Sequence, residues 1–340
     1  MRNSSVNPGD LAACRDLLCG GSRSFFAASL LLPARVRDPA TALYAFCRVA
    51  DDAIDLGADP VAALAVLNDR LDAAYAGAPH DHPIDRAFAA TVADHAIPRT
   101  LPAALIEGLA WDSESRRYAN FASLQDYAAR VAGAVGVMMA LIMGVRDSAS
   151  LARAGDLGVA MQLTNIARDV GEDARAGRLF LPLDWLADAG LDAGEFLARP
   201  AFSPALCGVI QRLLAEAEFL YARAGAGILR LPLDCRTGIA AARRIYAEIG
   251  QKLGRLGYDS VTHRARVPGH KKLVLAARAA ADTLGFQNAA ATAPPLPANL
   301  YLVTAAAIDP PEPVSSINKL LDIFERLERT QRESRARLTA

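Results

Sequence analysis

Four side chains able to bind cations or anions recur at helical spacing early in the chain. In chain order they are Tyr44, Arg48, Asp51 and Asp55. At about 100° per residue, the four would lie within roughly 60° of one another on a helix. Asp51 and Asp55 would be one turn apart, where unpaired like charges repel and are costly to bury. We call such a polar helix face, with its two aspartates one turn apart, an aspartate stripe. If this stripe is buried, it requires a counter-charge.

A second segment repeats the arrangement. Its polar residues are Gln162, Asn165, Asp169 and Asp173, which would line one helix face within about 80°. Apolar residues lie within and before this segment, so we expect the helix to be largely buried; they are Leu157, Val159, Met161, Leu163 and Ile166. Neither stripe shows the Glu-to-Lys spacing that is typical of a solvated helix face.

Two buried helices that each carry a pair of carboxylates would repel each other if they met without cations. Mg²⁺ resolves this conflict, because it prefers oxygen ligands and is typically held by one or two carboxylates together with substrate phosphates. Arg48 and Arg168, which lie beside the carboxylates, suit phosphate oxygens. A diiron centre would need Glu-x-x-His pairs, and the sequence has none. The stripes therefore predict a metal–diphosphate site.

The elements that carry these stripes are predicted to be helices almost throughout. No stretch shows sustained strand-like alternation, and Gly and Pro punctuate one helical pattern after another. The chain is 52% hydrophobic and only 6% aromatic, a balance that favours helix over strand. Small residues and methionines between 133 and 143 suit the wall of a long apolar tunnel.

Charge and targeting signals exclude several classes of protein. The chain has 37 Lys and Arg against 37 Asp and Glu, without the basic stripe of a nucleic-acid binder. Its first ten residues are polar, and its longest uncharged apolar run, 131–145, is shorter than a membrane span. We expect a cytoplasmic protein that remains able to touch a membrane surface.

Three regions follow from the composition along the chain. Residues 1–288 are expected to form one helical domain. Residues 289–314 hold six prolines among alanines, which predicts a stiff linker. Residues 315–340 have apolar residues at helical spacing with Arg and Glu between them, which predicts an amphipathic helix that docks on the body or contacts a partner or membrane.

Taken together, the motifs resemble the squalene/phytoene synthase family, and most of all its bacterial phytoene synthases. The matching segments are 22–25, 44–55, 117–118, 131–136, 162–173, 177–182, 231–236 and 245–246. The chain departs from the family pattern at Ala128 and Ala129, where Cys-Tyr commonly follows a tyrosine, and at Phe180, where tyrosine is common. Neither departure removes a candidate metal ligand.

This resemblance implies an all-α isoprenoid synthase fold, a single helical bundle around a central cavity. It implies an enzyme of carotenoid biosynthesis that joins two geranylgeranyl diphosphates head to head, through prephytoene diphosphate, to phytoene. Several Mg²⁺ or Mn²⁺ ions would be the cofactors, NADPH is not expected, and no nucleic acid is a partner. The apolar product would call for peripheral contact with a membrane.

The resemblance also implies roles for individual residues. The metal ligands would be Asp51, Asp55, Asn165, Asp169 and Asp173. The diphosphate contacts would be Ser22, Ser24, Arg48, Gln162, Tyr246 and Arg264. Tyr44 and Arg168 would complete the catalytic set with the four aspartates.

Two other functions remain open at this point. The same chemistry on farnesyl diphosphate would give squalene or dehydrosqualene, because the residues that set chain length are not evident in one sequence. A relative that kept the fold as a binding or assembly protein is the second alternative. Both aspartate motifs are intact, which favours an enzyme.

Overall fold

The computed structural model describes residues 6–21, 23–55, 59–283 and 293–309, with the backbone only at residues 23–25 and 282. Within these ranges the regular structure is helical and no residue lies in a strand, which confirms the all-α prediction. No helix within the same ranges is long and apolar enough to cross a bilayer.

The helices follow one another in this order. The first half contains α1 (Pro8–Gly21), α2 (Arg23–Ser29), α3 (Ala34–Asp55), α4 (Pro60–Tyr75), α5 (Pro83–Asp94), α6 (Thr100–Ser113) and α7 (Phe121–Ala128). A π-helical turn (Ala129–Gly133) then leads into α8 (Ala134–Ile142) and α9 (Ser148–Arg175). The second half contains α10 (Leu183–Asp188), α11 (Ala193–Ala198), α12 (Pro204–Ile228), α13 (Leu233–Arg255), α14 (Gly269–Asp282) and α15 (Leu300–Ala306).

Helix α3 is amphipathic, and its apolar face fixes the direction of its polar stripe. Leu43, Phe46 and Ala50 are buried on one side, and Phe46 stacks on Phe88 of α5 with ring centroids 3.8 Å apart. Since α1, α4, α5 and α6 all pack against α3, burial of this face leaves the opposite stripe turned toward the interior cavity.

Helix α9 is the long central helix of the bundle. It begins at an N-cap, Asp147, whose carboxylate accepts a hydrogen bond from the backbone N–H of Ser150 at 3.0 Å. Helices α8, α12 and α13 pack against it. Glycines let α9 lie close to α8 and to the π-helical turn. A Cβ on Gly136 of α8 would clash with the carbonyl of Ala154 on α9, and a Cβ on Gly158 of α9 would clash with the carbonyl of Ala132 in the turn.

The segment that follows residue 292 differs from the predicted linker. Pro297–Asn299 form a 3₁₀ turn that continues into α15, which packs against α8 and α9. Leu302 is fully buried, and the carbonyl of Pro294 accepts hydrogen bonds from Arg153 and Arg223 at 3.1 and 2.7 Å. The prolines stand before the helix, where the fixed φ of proline suits a helix start, and an apolar stretch free of proline follows.

The compact body therefore extends to Ala307 rather than ending at residue 288. The amphipathic helix predicted for residues 315–340 lies outside the described residues and stays a prediction.

Candidate active site

Two adjoining cavities lie along α9 and α13; α3 also lines the larger one, and α8 and α12 also line the smaller one. The larger has a volume of about 770 Å³ and a polar lining, and the smaller has a volume of about 230 Å³ and an apolar lining. Gln162, Asn165 and Tyr246 line both, so polar groups stand where the two meet. A ligand with a charged head and a hydrocarbon tail would match this pair of environments.

The polar cavity brings together nearly all the residues predicted from sequence. Its lining includes Tyr44, Arg48, Asp51, Asp55, Gln162, Asn165, Arg168, Asp169, Asp173, Tyr246 and Arg264. Of the two serines predicted to bind diphosphate, Ser22 lies outside the described residues and Ser24 is described by its backbone alone.

On α3, Arg48 is paired mainly with a carboxylate that the sequence analysis did not single out. Its guanidinium contacts Asp52 at 2.5 Å and Asp51 at the longer distance of 3.5 Å. Burial, followed by the neighbouring charge of Asp55, raises the pKa of Asp51 above its ordinary value. The Asp51 carboxylate thus lacks a close positive partner that would offset the negative charges of Asp55 and Asp52 beside it.

On α9, Asp169 is held by two arginines. Arg168 contacts it at 2.5 and 2.8 Å, and Arg264 contacts it at 2.9 Å and also reaches Glu172 at 2.7 Å. Arg264 follows α13 and is distant in sequence from Asp169, and it lines the same cavity. These distances are typical of strong charge-assisted hydrogen bonds.

Asp173 lies one turn beyond Asp169 and has a looser environment. Burial raises its pKa to about 6, an effect that Asp169 reinforces and Arg178 opposes. Arg178 contacts Asp173 at 3.5 Å and Asp55 of α3 at 3.3 Å. A single guanidinium therefore stands between the two predicted aspartate stripes.

The sequence analysis missed Asp112 as a cavity residue. Its Oδ2 accepts a hydrogen bond from the Tyr127 hydroxyl at 2.9 Å, while its buried Oδ1 has no hydrogen-bond partner among the described residues. Burial raises the pKa of Asp112 to about 7. The available signal was an acidic residue near the end of α6, a helix whose other residues are mostly apolar.

Aromatic rings form one wall of the polar cavity. Tyr127 and Phe180 line it with their ring centroids 5.3 Å apart, and Tyr118 lies behind them, 5.2 Å from Tyr127. Ala129, where the family pattern has a second tyrosine, is fully buried in the π-helical turn. The aromatic wall here is therefore built from Tyr127 and Phe180. Arg266 and Lys272 are further cavity residues that the sequence analysis did not name.

The donor set of the polar cavity fits divalent cations. Asp51, Asp55 and Asp173 offer carboxylate oxygens with only long contacts to arginine, and Asp112 adds a buried oxygen that has no hydrogen-bond partner among the described residues. In the ranges that the structure describes, no three acidic, His or Cys side chains converge as a ready-made cage. An open set of this kind suits Mg²⁺, which keeps waters and takes ligands from phosphates.

The apolar cavity runs away from the polar one along α9. Its lining includes Gln162 at the near end and Ser150 twelve residues earlier, about 18 Å along the helix axis. Val135, Met139 and Met143 form part of its wall. The segment interpreted from sequence as a tunnel wall thus takes that position.

Fold and site together define an all-α isoprenoid synthase, as comparison with solved structures shows. A dehydrosqualene synthase crystallised with a ligand superimposes with a TM-score of 0.75 at 28% identity, covering 82% of this chain and 98% of that one. A squalene synthase from Alicyclobacillus acidocaldarius gives 0.68 at 27% identity, covering 74% and 95%. The fold class predicted from sequence is confirmed.

The chain belongs to the squalene/phytoene synthase family, whose profile matches residues 18–271. It is 52% identical to the phytoene synthase of Cereibacter sphaeroides over 97% of each chain. It is 46% identical to the 15-cis-phytoene synthase of a Paracoccus strain, over 72% of this chain and 82% of that protein. The family is one of prenyltransferases, which act on prenyl diphosphates and generally depend on divalent metal ions.

Proposed function

We propose that the protein is a phytoene synthase that condenses two geranylgeranyl diphosphates head to head. The observation that carries this proposal is the meeting of two aspartate-bearing helices at a polar cavity that continues into a long apolar one. The names of the similar curated proteins support phytoene as the product. Farnesyl diphosphate as the substrate remains the alternative.

Asp51, Asp55, Asn165, Asp169 and Asp173 would hold Mg²⁺ or Mn²⁺ in the polar cavity. When bound, these ions neutralise diphosphate and make it a better leaving group. Burial first, and then neighbouring carboxylates, raise the pKa of Asp51 and Asp173, and bound cations would favour the charged form of both.

The positively charged and hydrogen-bonding residues of the cavity would orient the diphosphates. In the cavity this set comprises Arg48, Gln162, Tyr246 and Arg264, and we propose the same role for Ser22 and Ser24. Arg168 holds Asp169 in place, and Tyr44 shares the α3 face with Asp51. Charged donors fixed in advance stabilise a leaving diphosphate without reorganising during the reaction.

The chemistry then follows in two half-reactions. Diphosphate leaves the first substrate, and the C2–C3 double bond of the second attacks the allylic cation, with loss of a proton, to give prephytoene diphosphate. The second diphosphate leaves, the cyclopropyl ring rearranges, and loss of another proton gives phytoene. The apolar cavity would take the hydrocarbon chains and keep water from the cations, and the rings of Tyr127 and Phe180, which line the polar cavity, would stabilise the developing positive charge.

Release of an apolar product favours work at a membrane surface, and we propose a cytoplasmic enzyme that binds membranes peripherally. Leu30 and Leu31, in the turn that follows α2, and Leu233, at the start of α13, are exposed, with 56%, 38% and 77% of their surface accessible. Because α2 packs against α13, we propose that these exposed leucines contact a lipid surface.

The test is a product assay with the purified full chain. Radiolabelled geranylgeranyl diphosphate and Mg²⁺, without NADPH, should yield a C40 hydrocarbon. Product from farnesyl diphosphate alone would overturn the substrate assignment. Failure to convert either diphosphate, with a correctly folded chain, would favour the non-catalytic alternative.

A further inference from the structure

Arg178 is placed between the two aspartate stripes by a tight turn at the end of α9. Gly177 has φ of +77°, in the left-handed region that favours glycine. The backbone N–H of Arg178 then donates to the carbonyl of Asp173 at 2.8 Å. This turn directs the guanidinium back across the cavity mouth, toward α3.

The guanidinium of Arg178 contacts one carboxylate from each stripe. Its Nη1 lies 3.3 Å from Asp55 Oδ1 on α3, and its Nη2 lies 3.5 Å from Asp173 Oδ1 on α9. The Coulombic field of Asp112 also acts on it. Three carboxylates from three helices thus share this positive charge.

The contacts of Arg178 are longer than the closest contacts of Arg48, Arg168 and Arg264. Arg168 reaches Asp169 at 2.5 Å and Arg48 reaches Asp52 at 2.5 Å, whereas both contacts of Arg178 exceed the usual 2.7–2.9 Å of charge-assisted hydrogen bonds. Its Nε is buried without a hydrogen-bond partner among the described residues. A guanidinium held at two long contacts can be displaced more easily than one held in a close fork.

We propose that Arg178 is a built-in counter-ion that holds Asp55 and Asp173 together when no divalent cation is bound, and that competes with the cation for them. The proposal rests on the assignment of these aspartates as metal ligands under the proposed function. Arg178 is accordingly a positioning residue: it acts on the reaction through the two carboxylates that it keeps facing each other.

This role predicts that metal affinity rises when Arg178 is removed. Removal of a residue that merely supports the site would weaken metal binding. Removal of a competing positive charge would strengthen it, while the metal-free protein would lose the attraction that offsets repulsion between the stripes. The two roles are therefore distinguished by the direction in which metal affinity changes.

The experiment compares Mn²⁺ binding and thermal unfolding of the full-length wild-type chain with those of Arg178→Met and Arg178→Lys. Electron paramagnetic resonance reports unbound Mn²⁺, and unfolding is followed in excess chelator and again with Mn²⁺. Arg99→Met is the matched control, because Arg99 pairs with Asp72 on an exposed surface away from the cavity.

Arg178→Met should bind Mn²⁺ roughly threefold to tenfold more tightly than wild type, the range expected when weak ion pairs that compete with a ligand are lost. Its unfolding temperature should fall in chelator and recover with Mn²⁺. Arg178→Lys, which keeps the charge but not the forked geometry, should lie between. Arg99→Met should match wild-type Mn²⁺ binding.

Unchanged or weaker Mn²⁺ binding in both Arg178 variants would overturn the proposal. If Arg178→Met fails to fold, the sign of the change in Arg178→Lys decides. A wild-type chain that binds no Mn²⁺ would contradict the metal assignment itself, which separates failure of the proposed function from failure of this inference.

Discussion

Narrowing the apolar cavity should change which substrate the enzyme accepts. Ala154 lines this cavity and lies eight residues before Gln162 on α9, about 12 Å from the polar end. The backbone of Gly136 approaches it closely on the other side. A phenyl ring introduced by Ala154→Phe would therefore occupy space within the cavity of about 230 Å³.

The size of the effect follows from the hydrocarbon that loses its place. Geranylgeranyl diphosphate is longer than farnesyl diphosphate by one isoprene unit of five carbons. At about 0.8 kcal/mol per buried methylene group, exclusion of one unit would cost about 4 kcal/mol. This corresponds to about a thousandfold change in the ratio of kcat/KM for the two substrates.

The assay measures kcat/KM for geranylgeranyl and farnesyl diphosphate with wild type, Ala154→Phe and the smaller change Ala154→Val. The expected result is a graded shift of the ratio toward farnesyl diphosphate, largest for phenylalanine. Ala62→Phe, on the exposed face of α4, is the control for added bulk. Because overpacking costs about 1–3 kcal/mol of stability, the unfolding temperature of each variant is measured as well.

The reasoning would be refuted if Ala154→Phe folded normally and kept the wild-type ratio. The hydrocarbon chains would then lie somewhere other than the cavity beside α9. An equal fall in kcat/KM for both substrates would likewise contradict a length limit set at Ala154.

Three further predictions concern the carboxylates and the exposed leucines. Asp51→Ala should lower turnover by about a thousandfold or more while its helical circular dichroism signal stays unchanged. The control Asp16→Asn, on the exposed face of α1, should keep wild-type turnover. Full activity of Asp51→Ala would show that Asp51 is not a metal ligand. In chelator, Asp112 should lower the free energy of unfolding as pH rises from about 4 to about 7. Its folded pKa of about 7 exceeds the ordinary value of 3.8, so the native state binds more protons than the unfolded one over this range. The decrease in unfolding temperature should be smaller in Asp112→Asn, and an identical pH profile would contradict the raised pKa. Replacement of Leu30 and Leu233 by serine should reduce co-flotation with vesicles of phosphatidylcholine and phosphatidylglycerol, and unchanged flotation would argue against this membrane contact.

The sequence predicted the aspartate stripes well because both the residue types and their spacing are local. Tyr44 to Asp55 and Gln162 to Asp173 each lie within one helix, so helical periodicity alone places them on one face. The meeting of the two stripes was a physical inference from charge repulsion, and the structure brings both to one cavity.

Other parts of the site depend on contacts between residues distant in sequence. Arg178 is 123 residues from Asp55, and Tyr127 is 15 from Asp112. No periodicity within either segment reveals these pairs. The linker prediction was wrong for residues 297–306 because it weighed proline content over the apolar stretch that follows the prolines and packs on α8 and α9.

The most direct measurement is the stoichiometry of the reaction with geranylgeranyl diphosphate, Mg²⁺ and no NADPH. Inorganic diphosphate and the hydrocarbon product are counted in the same time course, for wild type and for Asp51→Ala. The predicted result is two diphosphates released for each C40 hydrocarbon by the wild type, and neither product from the variant. Release of diphosphate without a C40 hydrocarbon, or equal turnover by Asp51→Ala, would contradict head-to-head condensation at the aspartate stripes.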